Sequence, residues 1–204
     1  MKRWQTRQWV GGNWDLVSDW QYDYITNLQS VSSDTRFLDL GCGSLRLGHK
    51  LIPYLNGGMY VGIDFAQDIV EAAISKELDY NIQRKKRPQF IYNDNFDLSA
   101  IDKPIDIAWS YAVWIHLNDS VVRNALNNVK EVLKPGGVLY STFGSIRTSG
   151  IPTPEDYVYS VHTQKTFFRT KDEIKQLFES VGMTCKEVTH AAKNQVLYKS
   201  TVED

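Results

Sequence analysis

Five short apolar runs recur along the chain with helix-patterned stretches between them: RFLDL (36–40), MYVGID (59–64), QFIYND (89–94), PIDIAWS (104–110) and VLYSTF (138–143). Runs of that length bounded by turn residues predict strands. Residues 44–56 read as a helix stopped by Asn56-Gly57-Gly58, and 67–80 as another through Val70, Ala73, Ile74 and Leu78. Val122, Ala125, Leu126, Val129 and Leu133 stripe a third, which starts at the cap Asn118 and ends at Pro135-Gly136-Gly137. A capping box, Thr170 with Glu173, opens a fourth through Ile174, Leu177, Phe178 and Val181, stopped at Gly182. Two more strands follow, roughly 183–190 and 194–201. Strands that alternate with helices must run parallel, because a crossover is needed to return to the same edge. The last two strands are joined by a few residues near Ala192, so that link is a hairpin and the final strand is antiparallel. The predicted fold is α/β: a doubly wound sheet of seven strands, mostly parallel, with an antiparallel last strand and helices on both faces.

A chain of 204 residues suits one domain with one core. The formal net charge is −1, so nucleic acid and anionic lipid are argued against as partners and would need a local patch. Arg84-Lys85-Lys86-Arg87 is such a run, but it lies at a helix end, where cations are favoured anyway. The two cysteines, Cys42 and Cys185, belong to no CxxC or Cys/His cluster, which predicts no metal site and a reducing cytoplasmic location. No apolar stretch of signal-peptide or membrane-spanning type stands out. Leu16, Trp20, Tyr24 and Leu28 lie four apart, with Val17 and Ile25 flanking, and predict one apolar helix face. Trp14 and Tyr22 fall off that stripe and are expected to face a pocket. Residues 144–166 lack periodicity and read as a long loop with His162 facing solvent; loops of that length are uncommon unless functional.

The functional signal is the turn FLDLGCGS (37–44). In an open α/β sheet, ligands bind beyond the carboxyl ends of the strands. Gly41 and Gly43 let a ligand approach the backbone, and the helix expected to follow offers unpaired N–H groups. Asp64 ends the next strand, 21 residues beyond Gly43, where a carboxylate can accept from both hydroxyls of a ribose. A dinucleotide fingerprint needs a third glycine where Arg46 stands, and no GK[ST] follows for a phosphate loop. Asp39, two residues before Gly41, would repel a pyrophosphate and suits an ammonium or sulfonium ligand.

These segments resemble the class I S-adenosylmethionine-dependent methyltransferases, whose fold is Rossmann-like. LDLGCGS is similar to their first motif, YVGIDFAQDIVEAA to the ribose strand and next helix, FIYNDNFDLSAIDKPIDIAWSYAVWIHL to the adenine segment and fourth strand, VLKPGGVLYSTF to the fifth strand, and TKDEIKQLFESVGMTCKEV to the late helix and sixth strand. The resemblance spans about residues 35–200. It implies that Asp39 and the Gly41-Cys42-Gly43 backbone hold the methionine part, with Arg46 near its carboxylate. Asp64 takes the ribose, Phe65 stacks near the adenine, Asp94 accepts from the adenine amino group and the Asn95 N–H reaches a ring nitrogen. Asp94 is preferred to Asp97 because it directly ends its strand. Ser110 and Tyr111 lie beside the reactive methyl. The family often has a glycine where Leu45 stands, which implies a less open turn here.

His116 follows the fourth strand and is the candidate general base; Trp14, Tyr22, Trp114 and His116 are the candidate substrate contacts. The expected arrangement is a single methyltransferase domain over 1–204, with a helical segment, 1–34, covering the site and a substrate loop at 144–168. The expected activity is transfer of methyl from S-adenosylmethionine, giving S-adenosylhomocysteine, to an oxygen or nitrogen of a small molecule, by a monomer or homodimer. The alternatives are a protein or RNA methyltransferase and a non-catalytic S-adenosylmethionine-binding partner subunit.

Overall fold

The computed structural model describes residues 7–8, 13–28, 31–145, 158–159, 165–191 and 195–202. They fall into two compact units, 1–94 and 95–204.

The first unit opens with α1 (Trp14–Thr26), capped by Asn13, whose side chain accepts from the Leu16 amide. Strand β1 (Phe37–Leu40), helix α2 (Gly48–Tyr54), strand β2 (Tyr60–Asp64), helices α3 (Gln67–Glu77) and α4 (Tyr80–Lys86), and strand β3 (Gln89–Tyr92) follow. The strands are parallel: β1 pairs β2 with Asp39 opposite Gly62, and β2 pairs β3 with Gly62 opposite Phe90. Strands β1 and β2 are buried almost throughout, as parallel strands covered on both faces are.

The second unit contains β4 (Ile105–Ser110), a 3₁₀ turn (Trp114–His116), α5 (Asp119–Val132) and β5 (Leu133–Ser145). Three two-residue strands come next, β6 (Val158–Tyr159), β7 (Lys165–Thr166) and β8 (Phe168–Arg169), then α6 (Lys171–Glu179), β9 (Lys186–Ala191) and β10 (Gln195–Thr201). Strand β5 runs parallel to β4 and β8, and β10 lies antiparallel to both β5 and β9. The expected antiparallel last strand is present. Phe143 is the hub of this core, with the rings of Trp114, Phe178 and Tyr198 at 6.4, 5.9 and 5.8 Å. The expected stripes of α5 and α6 are buried, and both bonds of the Thr170–Glu173 capping box form.

Five expectations change. The helix expected from residue 44 begins at Gly48, because Leu45 sits at a left-handed φ of 56° and prolongs the turn. The helix expected over 67–80 stops at Glu77, and a second one starts where the Asp79 carboxylate caps the Asn81 amide. Pro135-Gly136-Gly137 does not separate helix from strand: β5 already starts at Leu133, and the tripeptide bulges out between the pairs Ile105–Leu133 and Ile107–Val138. On α1 the buried face is Trp14, Val17, Ser18, Gln21 and Ile25, whereas Leu16 is exposed. Trp20 and Tyr24, expected on the apolar face, stack on each other at 5.7 Å and are only half-buried. The expected loop contains the paired strands β6 and β7; its residues 146–157 and 160–164, His162 among them, lie outside the described residues, as do 192–194 before the last strand.

Candidate functional site

The turn after β1 takes its shape from its own residues. Gly41 (φ 73°) and Gly43 (φ 48°) hold left-handed conformations that a Cβ opposes. The Gly41 and Cys42 amides both donate to the Ile63 carbonyl, at 2.8 and 3.1 Å, tying the turn to the end of β2. Asp64 completes the tie: Oδ2 accepts from the Gly43 N–H and Oδ1 from the Ala66 N–H, each at 2.9 Å. Asp64 is only partly buried, so its carboxylate keeps an accessible side.

Asp39 is different. It is buried, and its Oδ2 accepts a hydrogen bond from the Tyr60 hydroxyl at 2.7 Å. Burial is the main cause that lifts its carboxyl to a pKa of about 7; the Tyr60 hydrogen bond opposes, the Asp64 charge adds to the rise and Arg46 opposes. At neutral pH this acid is therefore poised between its two forms. Cys42 is buried beside both acids, and burial pushes its thiol far above the ordinary range, which disfavours the reactive thiolate. Among the described residues no group of three or more His, Cys, Asp or Glu is placed to hold a metal ion, and no helix is long and apolar enough to cross a membrane.

Side chains brace this turn from outside. The Trp14 indole N–H donates to Ser44 Oγ at 3.0 Å, and its ring lies 4.6 Å from that of His49. His49 Nδ1 lies 3.2 Å from the carbonyls of Leu45 and Arg46. Leu45 is fully buried and points into the protein. Tyr22, expected to face a pocket, meets Tyr54 edge-on at 6.3 Å with Lys50 5.8 Å from its ring. Phe65 is 66% exposed, which leaves an aromatic face open beside Asp64. Asp94, two residues past β3, is exposed.

In the second unit, Asn95 is exposed; its carbonyl accepts from Asn124 Nδ2 at 2.7 Å, and its side chain accepts from the Asp97 amide at 3.2 Å. Asp97 itself closes a turn by accepting from the Ser99 amide, which holds its carboxyl below the usual range. Ser110 ends β4 and Tyr111 follows it, both buried; the Ser110 hydroxyl meets no partner among the described residues. His116 ends the 3₁₀ turn with its side chain exposed, and the protein packed around it holds its pKa below the ordinary value. Trp114 corrects the expectation of a substrate wall: it is fully buried, with the rings of Phe96 and Phe143 at 5.7 and 6.4 Å.

Sequence reasoning missed Tyr60, Thr142 and Arg169. Tyr60 had a signal: it lies two residues before Gly62, which stands opposite Asp39, so it shares the face of Asp39. Thr142 and Arg169 had none, because their partners lie 30 to 55 residues away.

Known proteins similar to this chain are methyltransferases. A family model described as a methyltransferase domain matches residues 38–139. An uncharacterised methyltransferase of Schizosaccharomyces pombe is 30% identical over 113 residues, 54% of this chain and 40% of that protein. The malonyl-[acyl-carrier protein] O-methyltransferase of Bacillus anthracis is 25% identical over 146 residues, 71% of this chain and 46% of that protein. The chain thus spans less than half the length of these curated relatives. A crystal structure of an S-adenosylmethionine-dependent methyltransferase from Clostridium acetobutylicum shares the Rossmann-like α/β fold at TM-score 0.71 and 15% identity, covering 96% of this chain and 94% of that one.

Proposed function

We propose that this chain, which belongs to the methyltransferase-domain family, transfers methyl from S-adenosylmethionine to an oxygen or nitrogen of a small molecule. The observation that carries the reading is a buried acid held near neutrality beside a left-handed glycine turn. A cationic ligand over that turn restores the charge that burial suppresses in Asp39. The Gly41–Gly43 backbone takes the methionine part, with Arg46 toward its carboxylate. The accessible side of Asp64 takes the ribose hydroxyls, Phe65 lies against the adenine, and Asp94 and the Asn95 N–H take its polar edge. Ser110 and Tyr111 are assigned to the methyl end.

When bound, the cofactor supplies a methyl group on a good leaving group, displaced in line. The chain's own task is then to align the acceptor, where proximity contributes ~7–11 kcal/mol, and to receive its proton. His116 suits the second role, since its lowered pKa leaves the imidazole neutral at pH 7. The relative from Bacillus anthracis is named as an O-methyltransferase, which supports oxygen as the accepting atom. The basic run does not favour RNA. Arg84, Lys85 and Lys86 occupy the last turn of α4, Lys86 donates to the Leu55 carbonyl, and the Arg84 guanidinium lies 5.8 Å from the Tyr80 ring.

Calorimetry with S-adenosylmethionine and NAD side by side tests the ligand, and a methyl-release screen over metabolite pools tests the acceptor. Binding of NAD in place of S-adenosylmethionine overturns the proposal.

A further inference from the structure

The segment between β4 and α5 is short, and it is held from outside at Ala112, Trp114, Ile115 and Leu117. Ala112 adopts a left-handed φ of 60° without being glycine. Its amide is caught by Thr142 Oγ1 at 2.8 Å, and Thr142 in turn donates to the Gln195 side chain on β10. At the other end one side chain makes most of the bonds. Arg169 on β8 is buried; its Nη1 donates to the Trp114 carbonyl at 3.1 Å and its Nη2 to the Leu117 carbonyl at 2.7 Å. Nε and Nη2 both reach Asp119 Oδ1, at 2.9 Å each, at the first residue of α5. The Phe167 amide donates to the Ile115 carbonyl at 2.7 Å. Gly144 leaves room for this stitching, since a Cβ there would lie 3.0 Å from the Phe168 ring and 3.2 Å from Ile115.

A strained residue persists only where its surroundings over-determine it, and such strain gathers where a side chain must be aimed. Here the bonds bracket His116, with carbonyls gripped at 114, 115 and 117. The grip needs a planar fork of donors, which only arginine supplies. A buried guanidinium spent on two backbone carbonyls and one half-exposed carboxylate is an expensive way to add stability alone.

We infer that Arg169 is a positioning residue for methyl transfer: it holds the 112–117 turn so that His116 and the end of β4 meet the acceptor in one geometry. The inference rests on the proposed methyl transfer. Arg169 touches no reacting group and acts through the backbone it grips, while Thr142 anchors the opposite end of the same turn.

The test uses the full chain with Arg169→Lys, whose single ammonium cannot span the three acceptors. Amide hydrogen exchange across 111–118 is expected to rise on the order of tenfold with α6 and β10 unchanged. Transfer of tritium from methyl-labelled S-adenosylmethionine to a small-molecule extract should fall about 100-fold, while calorimetric affinity for S-adenosylmethionine stays within about twofold. Guanidinium ion should restore part of the rate to Arg169→Ala. Thr142→Val should reproduce the exchange signature from the Ala112 end, and it serves if the Arg169 variants do not fold. Unchanged exchange, an unchanged rate, or a rate that falls only in step with cofactor affinity overturns the inference. If the wild type labels nothing, the methyl-transfer reading falls by itself, and the exchange comparison alone decides whether Arg169 holds the turn.

Discussion

The turn after β1 and the turn after β4 each follow a buried parallel strand, yet they are shaped in opposite ways. The first is written in its own residues: two glycines at positive φ, an aspartate before them and an aspartate at the next strand end. The second contains no glycine and takes its conformation from Thr142, Phe167 and Arg169, all distant in the chain. The comparison suggests a division of labour. Under the proposed function, the turn assigned to the cofactor is encoded locally, whereas the one assigned to the acceptor is set by the elements packed against it.

The largest effect expected from disturbing this contrast is Trp114→Ala. Removing that fully buried ring should lower unfolding free energy by about 3–5 kcal/mol in urea, because the second turn is fastened to the core. Asp64→Ala should instead act on binding, weakening S-adenosylmethionine by about 1.5–3 kcal/mol by calorimetry. An equal fall in stability without loss of affinity would make Asp64 a mere brace for the Gly43 amide and break the contrast.

Next comes pH. The folded pKa of Asp39, about 7, lies above its unfolded value of roughly 3.9. The stability tied to its protonated form is thus full below about pH 4 and lost as pH rises through about 7, with a slope of up to ~1.4 kcal/mol per pH unit. Urea denaturation of ligand-free Asp39→Asn should lack this slope, and cofactor affinity in the wild type should tighten over the same window. The smallest effect is Ala112→Gly, which relieves the left-handed strain and should raise stability by up to about 1 kcal/mol while loosening the turn in hydrogen exchange.

The same contrast explains what could be read from the chain. Strands β1, β2 and β4 were legible because buried parallel strands are near-continuous apolar runs, and the α5 and α6 stripes because charged residues mark their outer faces. The face of helix α1 was legible only in part: Val17 and Ile25 are buried as expected, but Trp20 and Tyr24 stack on each other half-buried at its edge while Ser18 and Gln21 are buried, so ranking by hydrophobicity set the stripe off-centre. Asp39, the glycines and Asp64 were legible as a cluster, since strand ends and spacing bring them together. Arg169 was not, because a single arginine after a long aperiodic stretch looks the same whether it is solvated or gripping a turn 50 residues upstream.

One small side chain offers a clock for the first turn. Cys42 is buried near two carboxylates with its proton firmly held, so an alkylating reagent should reach it only during excursions that lift the 41–46 turn away from β2. Its labelling rate counts those excursions directly, against Cys185 of the other unit as an internal standard. A molecule seated over the glycines should slow the clock at Cys42 and leave Cys185 keeping time.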